Sequence, residues 1–524
     1  MKINQNISAV IVNDQLLRNE NALSQSVKKL SSGFKFNDAK DNPSGMAISF
    51  KMQAQINALH RASLNATDGT SMVETIDGAI GEMTEILQRM RELCVQAASD
   101  TNTPEDLQAV QKEITSLKDE INRISTDTEF NGKKMLDGSL DRRTYVTSYD
   151  PADPTAYGNS MFDKMSNVII SDEVQAGKYY LEITTPPEHA VVNAVAGGGG
   201  ATVTAAEAGI VVINGVKAEI KENMTPEEVY KTLQEAGSQG WVNVFARDTT
   251  VPQQITDKTL STQGYTEIPY TAFNQSLSFV SQKYGAMESV TVSCDNPALR
   301  QLLGLGAESI SASGVDVEAS FESTAGNPLP DDYQQYSGQV VVTGTGDRVV
   351  ITDKSGFEIS VDVRADIFVE EDPATGATNI LAQKELTIET TDIGTLQLQI
   401  GANEDQEMAV RVPILNTRSL YIDELDVTKI DGADRGMTEM DNAISIVSAA
   451  RAKMGAYENR LDYAVKSLDE TGEDMTTAIS RLGDVDMAEE MTTYTNASVL
   501  TQASISVLAQ ANDLPQQVLS LLQG

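Results

Sequence analysis

The C-terminal stretch LTQASISVLAQANDLPQQVLSLLQG (500–524) has a regular apolar pattern from which the architecture of the chain can be inferred. Apolar residues recur there at alternating intervals of three and four, interrupted only by Ser504: Leu500, Val507, Ala511, Leu514, Val518 and Leu521. This alternation is typical of a helix that packs lengthwise against other helices. Because ordering each residue costs on the order of 1–2 kcal/mol, such a helix is marginal alone. We therefore predict that it needs partner helices.

The same alternation occurs at the opposite end of the chain, where residues 2–32 are predicted to form a helix. Its apolar stripe consists of Ile3, Ile7, Val10, Leu17, Leu23, Val27 and Leu30. One interpretation is an ordinary amphipathic helix on a core. The other, which we favour, is a helix that pairs with the C-terminal stretch, because neither end has a complementary helix nearby in sequence.

Further long helices are predicted next to both ends. The pattern indicates helices over 43–98, 103–124, from about Gly436 to a polar break at Asp469–Asp474, and from Ile479 to Leu522. Cys94, within the first of these, is expected to be a buried small hydrophobe.

Helical periodicity disappears between about 140 and 395, where alternating β-branched runs predict strands. Asn214–Gly215 predicts a hairpin, and the run Gly197–Gly200 is interpreted as a flexible linker. The predicted fold class is multidomain α+β. Long terminal α-helices pair as a coiled-coil or helical-bundle rod, and the central insert is β-rich.

Composition argues against several function classes. Lys and Arg number 39 against 76 Asp and Glu, a net charge of −37, which disfavours nucleic acid and anionic membrane surfaces. No apolar run suffices to span a bilayer, and the N-terminus does not resemble a signal peptide. His60 and His189 are interpreted as solvated side chains. Asp484 and Asp486 are predicted to face apart on a helix, so we expect no metal site there. Because neither histidine is a credible catalytic residue, we expect no enzymatic activity, and we expect no cofactor.

Motifs in both terminal blocks resemble those of bacterial flagellin. The N-terminal ones are SSGFKFNDAKDNPSGMAIS (31–49), LNATDGTSMVET (64–75), LQRMRELCVQAA (87–98) and EFNGKKMLDG (129–138). The C-terminal ones are LQIGANEDQEM (398–408), AISIVSAARAKMGAYENRLDY (443–463), SRLGDVDMAEEM (480–491) and LTQASISVLAQANDLPQQVLSLL (500–522).

The resemblance implies a secreted structural subunit that polymerises into the extracellular flagellar filament for swimming motility. It implies inner terminal helices (1–42 and 481–524), whose apolar stripes form a polymerisation seam, and a helical rod with a β-hairpin (43–140 and 395–480). Residues 141–394 would be a variable outer insert, expected to form two subdomains with a boundary near 250–265. The implied partners are other copies of the chain, cap and hook-associated proteins, an export chaperone and the type III export apparatus.

The resemblance also implies contact with the host Toll-like receptor that senses flagellin. The matching positions are Gln88, Arg89, Leu93, Gln96 and Glu113. Alternatively, Arg89 and Glu113 belong to packing between subunits. The runner-up function is a hook–filament junction protein of the flagellin-like class, although such proteins normally lack the DVDMA and LAQAN phrases found here.

Overall fold

The computed structural model describes residues 6–148, 165–171, 173–198, 200–247, 269–321, 333–334, 340–363, 365–371, 378–380, 384–391 and 393–523. The chain divides into two compact units. The first unit comprises Met1–Glu74, Gln397–Ala409 and Gly455–Gly524, and the second comprises Thr75–Leu396 and Val410–Met454. The limits predicted for the inner helices, rod and insert stay predictions.

Long helices occupy both ends of the described chain. The α-helices are α1 (Ile7–Ser32), α2 (Pro43–Ala97), α3 (Pro104–Asp127), α4 (Pro226–Gln239), α5 (Pro297–Leu303), α6 (Gly432–Gly483) and α7 (Met487–Gln523). Thr103 and Thr225 begin α3 and α4 with reciprocal capping boxes, each followed by proline at the first turn. These helices confirm the predicted α+β class with long terminal helices.

The polar break predicted at Asp469–Asp474 is wrong, because α6 continues through it to Gly483. The acidic residues there lie on the solvated side of the helix, and a single glycine costs only about 1 kcal/mol in a helix interior. Thr471 Oγ1 donates to Ser467 O at 2.7 Å within the turn. The helix ends instead before Asp484–Asp486.

Strands fill the described parts of the central region. They are β1 (Glu129–Phe130), β2 (Lys133–Lys134), β3 (Thr144–Ser148), β4 (Met165–Ile170), β5 (Gly177–Thr185), β6 (His189–Asn193), β7 (Gly209–Ile213), β8 (Val216–Ile220), β9 (Val242–Arg247), β10 (Ser276–Tyr284), β11 (Ser289–Cys294), β12 (Ser309–Ser313), β13 (Glu318–Ser320), β14 (Val341–Thr345), β15 (Arg348–Thr352), β16 (Glu358–Val363), β17 (Val369–Glu371), β18 (Thr378–Ile380), β19 (Lys384–Thr390), β20 (Leu396–Gln399) and β21 (Glu407–Val410). A 3₁₀ helix spans Ala365–Phe368.

Two apolar cores organise these strands within the second unit. Core 1 lies between the antiparallel sheets β13-β5-β19-β3 and β14-β15-β16-β4. Core 2 lies among the sheets β6-β10-β9 and β12-β11-β7-β8 together with α4 and α5. Asn214 and Gly215 form the turn between β7 and β8 with positive φ of 45° and 88°, which confirms the predicted hairpin.

The subdomain boundary that was predicted near 250–265 lies outside the described residues and stays a prediction. That segment lies between β9 and β10, which pair in one sheet of core 2. The chain passes from core 1 to core 2 between Ile183 and Ala190 and returns between Leu305 and Val317. Core 2 is therefore inserted within core 1, an order that depends on long-range strand pairing rather than on local turn residues.

The interpretation of Gly197–Gly200 as a flexible linker is also wrong where the run is described. Gly198 N donates to Gln301 O at 3.1 Å, and a Cβ at Gly197 would overlap the carbonyl oxygen of Leu302. The glycines allow the backbone to lie directly against α5.

Close helix packing in the second unit depends on small residues. A Cβ at Gly436 of α6 would lie 3.0 Å from Cys94 Sγ of α2, so α6 approaches α2 closely there. Cys94 is fully buried, as expected, and burial raises the pKa of its thiol to about 11. Arg91 Nε lies 2.6 Å from Asp441 Oδ1 at the edge of this contact.

Candidate functional site

The terminal helices α1 and α7 pair in the first unit, antiparallel to each other. Asn6 Nδ2 donates to Ala511 O at 2.7 Å, and Asn19 Nδ2 donates to Ser504 Oγ at 3.0 Å. Further along, Lys29 Nζ lies 3.5 Å from a carboxylate oxygen of Glu490. The prediction that the two ends of the chain pair is confirmed.

The segments that join these helices to their neighbours are held by backbone hydrogen bonds. Lys35 N donates to Gly483 O at 2.6 Å, and Val485 N donates to Gly33 O at 2.9 Å. Asp486 Oδ1 accepts from Ala488 N at 2.9 Å and so caps α7. Asp484 accepts from Ser480 Oγ at 2.6 Å. Both carboxylates therefore have structural partners.

The surface between α1 and α7 combines half-buried apolar side chains with small and polar ones. Asn19 and Ser26 of α1 are buried, as are Ala497 and Ala511 of α7. Ser504, which interrupts the predicted apolar stripe, belongs to this surface because it accepts the hydrogen bond from Asn19. We call the described residues of this surface, which recur at three- and four-residue spacing, the intrachain seam: Ala9, Val12, Leu16, Asn19, Leu23, Ser26, Ala497, Thr501, Ser504, Leu508 and Ala511.

Most large apolar residues of the predicted polymerisation seam lie outside the intrachain seam. The exposed fractions are 66% for Ile7, 64% for Val10, 50% for Leu17, 47% for Val27, 53% for Leu500 and 49% for Val507. Leu23 and Leu30 are half-buried, and Ala511 is buried. Ile3 lies outside the described residues, as do the side chains of Leu514, Val518 and Leu521.

Each of the two helices also carries large apolar residues that remain exposed after the helices have paired. We call these residues the outer apolar stripe: Ile7, Val10, Ile11, Leu17 and Val27 on α1, with Val499, Leu500, Ile505 and Val507 on α7. Periodicity identifies an apolar stripe but not the partner that covers it. The sequence therefore could not show that α1 and α7 would pair through the intrachain seam. A run of exposed large apolar side chains marks an interaction surface.

The residues predicted to contact a receptor lie on α2 and α3 in the second unit. Arg89 donates to Glu113 Oε1 from Nη2 at 2.8 Å and from Nε at 3.1 Å, and its Nη1 lies 3.3 Å from Glu92 Oε2. These hydrogen bonds raise the pKa of the Arg89 guanidinium, so its positive charge is retained.

Four of the five predicted receptor residues reach the surface. Gln88, Arg89, Gln96 and Glu113 are exposed. Leu93, by contrast, is only 1% exposed and lies beneath the cluster, because the same helix face packs into the core of the second unit. The motif alone does not show which of its residues face the core and which face the solvent.

A charged cleft of about 880 Å³ also lies in the second unit. Its lining includes Asp347, Asp362, Glu424 and Arg348. Burial, together with the negative charge of Asp362, raises the pKa of Asp347 to about 6. This group could not be identified from the sequence, since Asp347 precedes β15 as an ordinary turn residue.

Asp347 predicts a pH-dependent stability. Because its folded pKa exceeds its unfolded value of 3.8, its stabilising effect is present below about pH 4 and is lost as the pH rises through about 6. Asp347→Asn is expected to raise the free energy of unfolding at pH 8, by at most about 3 kcal/mol, and to change it little at pH 4. Urea unfolding at both pH values measures this, with the exposed Asp100→Asn as control. An equal gain at both pH values would contradict it.

The two histidines considered in the sequence, His60 and His189, both lie in regular secondary structure. His60 is exposed on α2, as predicted. His189 lies in β6 rather than in a loop, and its ring stacks on Tyr284 at 3.8 Å between centroids. Among the described residues, no cluster of three or more His, Cys, Asp or Glu could hold a metal ion. None of the helices in the described ranges has the length and apolarity to cross a membrane.

Family models and known proteins match both ends of the chain. The bacterial flagellin N-terminal helical region matches residues 3–141, and the bacterial flagellin C-terminal helical region matches residues 437–522. The flagellin of Salmonella muenchen is 28% identical over 539 residues, covering 99% of both chains. Flagellin D of Vibrio anguillarum is 26% identical over 522 residues, covering 100% of this chain and 99% of its own length.

A solved hook-associated protein 3 from Legionella pneumophila covers 82% of this chain and 98% of its own, at 13% identity and a TM-score of 0.28. That score is too low to support an argument about fold or function. The two terminal family models and the full-length relatives agree with the motifs and with the paired terminal helices. The chain therefore matches the bacterial flagellin helical regions at both ends and is similar to bacterial flagellins along its whole length.

Proposed function

We propose that this chain is the structural subunit that polymerises into the bacterial flagellar filament and so serves swimming motility. The observation that carries the proposal is the outer apolar stripe, which stays exposed after α1 and α7 have paired. Burial of apolar surface contributes about 25 cal/mol per Å², so copies of the chain that cover these stripes would stabilise one another. The main partner is another copy of the chain, and the role is structural rather than catalytic.

The finer parts of the proposal follow from the similarity to bacterial flagellins. The terminal segments 1–42 and 481–524 would form the inner layer of the polymer, with the rod segments 43–140 and 395–480 around it. Residues 141–394 would project outward into the extracellular medium. Cap and hook-associated proteins would bound the polymer, and an export chaperone and the type III export apparatus would handle the chain before assembly.

Electron microscopy of polymer grown from the purified full-length chain tests the proposed function. We expect long tubes from this chain alone, and no tubes from a variant that lacks residues 500–524. The truncation removes α7 from residue 500 onward but leaves the second unit intact. Circular dichroism can therefore verify that the variant folds. A full-length chain that folds but never elongates would favour the hook–filament junction function.

We further propose that Gln88, Arg89, Gln96 and Glu113 form the surface that the flagellin-sensing Toll-like receptor contacts. The support is the exposed, ion-paired cluster of Arg89 with Glu113 and Glu92, in which a fixed guanidinium presents a planar donor surface. Leu93 would hold α2 in position from below rather than touch the receptor.

Arg89→Ala is expected to weaken receptor activation at least about tenfold, since loss of one charged anchor typically costs more than 1 kcal/mol. An epithelial reporter assay with purified monomer measures the half-maximal concentration. Arg123→Ala is the matched control, because Arg123 is also an exposed, ion-paired arginine but lies on α3 away from the cluster motif. Equal responses from the parent chain and Arg89→Ala would contradict the proposed contact.

A further inference from the structure

We propose that Asn19 and Ser504 are positioning residues that set the register of α1 against α7 and keep the intrachain seam distinct from the outer apolar stripe. The inference deepens the proposed function and rests on it, because a separate outer stripe matters only if copies of the chain cover it. It concerns which surfaces meet, whereas the proposed function concerns whether copies assemble.

Both polar groups of the Asn19 amide have partners in the observed register. Nδ2 donates to Ser504 Oγ at 3.0 Å across the helix pair, and Oδ1 accepts from Gln15 Nε2 at 3.2 Å within α1. The residue is only 7% exposed, so water cannot readily replace a lost partner. A buried donor without an acceptor is disfavoured, and this disfavours every register that removes Ser504 from Asn19.

The other residues of the intrachain seam do not favour one register of α1 and α7 over another. In the antiparallel pair, a seven-residue step along α1 corresponds to a seven-residue step back along α7, which places Ser26 opposite Ala497 and Val12 opposite Ala511. A slip of α7 by one heptad would place Ala497 or Ala511 opposite Asn19. Small and apolar side chains pack in any of these registers, whereas the asparagine has its acceptor in the observed one. A polar residue in a helix seam is known to specify register in this way.

The polar pair in the intrachain seam also determines which face is left for other copies. Leu500 and Val507 repeat by heptads and would be suited to an apolar seam, yet they remain exposed. An apolar residue at position 19 would remove the penalty against rotating or sliding α7 so that its apolar stripe faces α1. The hydrogen bond therefore favours pairing through the intrachain seam and leaves the outer apolar stripe uncovered.

Disulfide trapping in the full chain tests the register. The pair Ser26→Cys and Ala497→Cys reports the observed register, and the pair Leu23→Cys and Leu508→Cys reports a slip of one heptad. With Asn19 in place, we expect the first pair to cross-link at least about tenfold more than the second. Asn19→Leu, and independently Ser504→Ala, should reduce this ratio to less than about threefold.

The matched control is Asn21→Leu, the same chemical change at an exposed position of α1. It should leave the ratio unchanged, and the chain without introduced cysteines measures any background from buried Cys94 and Cys294. An unchanged ratio in Asn19→Leu and Ser504→Ala would overturn the proposal, as would a predominant Leu23–Leu508 cross-link in the parent. The ratio is measured in monomer and in polymer. A parent chain that does not polymerise would count against the proposed function and leave the monomer ratio readable.

Discussion

Replacing Leu500 and Val507 with glutamate is expected to abolish polymerisation and to leave the subunit folded. Both side chains are about half exposed in the single chain, so the folded subunit loses little when they become charged. In the polymer, the same positions would be covered by other copies. A buried carboxylate without a partner costs several kcal/mol, and this cost would recur at every subunit added.

The critical concentration for polymerisation, measured by sedimentation, should rise at least about a hundredfold, which corresponds to about 2.7 kcal/mol per subunit. The matched control is Val195→Glu with Met287→Glu, which adds the same charge at two apolar residues of the insert that are 66% and 84% exposed. That control should polymerise like the parent chain. Normal polymerisation of the Leu500→Glu, Val507→Glu variant would show that the outer apolar stripe is not an assembly surface.

Arg411→Ala is expected to produce the largest loss of stability in the second unit. The Arg411 guanidinium is buried, forms an ion pair with the Asp141 carboxylate, and donates to Ser171 O at 3.0 Å and to Ile170 O at 2.5 Å. It thereby joins the segment after β21 to the end of β4. Alanine would remove the ion-pair partner of the partly buried Asp141 carboxylate, which still accepts from Arg142 N, and would take one donor from each of two carbonyl groups. Breaking a buried ion pair in this way typically costs about 3–5 kcal/mol.

Urea unfolding followed by fluorescence of Trp241, the single tryptophan of the chain, measures this loss within the second unit. Arg123→Ala is again the matched control, since its ion pairs with Glu120 and Asp127 are exposed and should contribute less than about 1 kcal/mol. Asp141→Asn should lose less than Arg411→Ala, because the two carbonyl hydrogen bonds remain. A loss below about 1 kcal/mol for Arg411→Ala would contradict the assigned role.

Local features of the fold were predictable because their causes act over a few residues. Proline after a capping threonine begins α3 at Pro104, and Asn214–Gly215 supplies the positive φ angles of a hairpin turn. The pairing of α1 with α7 was predictable because two apolar helices at opposite ends of a chain both need partners. The acidic run at Asp469–Asp474 misled the prediction, since solvated charges on one side of a helix resemble a break.

The candidate site was only half predictable. The motif around Arg89 identified an exposed ion-paired cluster, but the burial of Leu93 depends on what packs beneath α2. The raised pKa of Asp347 depends first on its burial and then on the charges of Asp362, from the paired strand β16, and Glu424, 77 positions away in the chain. Charges that approach only after folding leave no local sequence pattern.

For the C-terminal stretch 500–524, apolar periodicity alone was enough to predict a helix with a repeating apolar stripe that needs partners. Which face of that helix meets α1 became known from the folded chain. Ser504, an interruption by periodicity, accepts the hydrogen bond of Asn19 from 485 positions away in the chain, while Leu500 and Val507 stay exposed. Apolar periodicity indicates how much of its surface a helix must bury. Which partner buries it depends on complementary side chains that only the folded chain brings together.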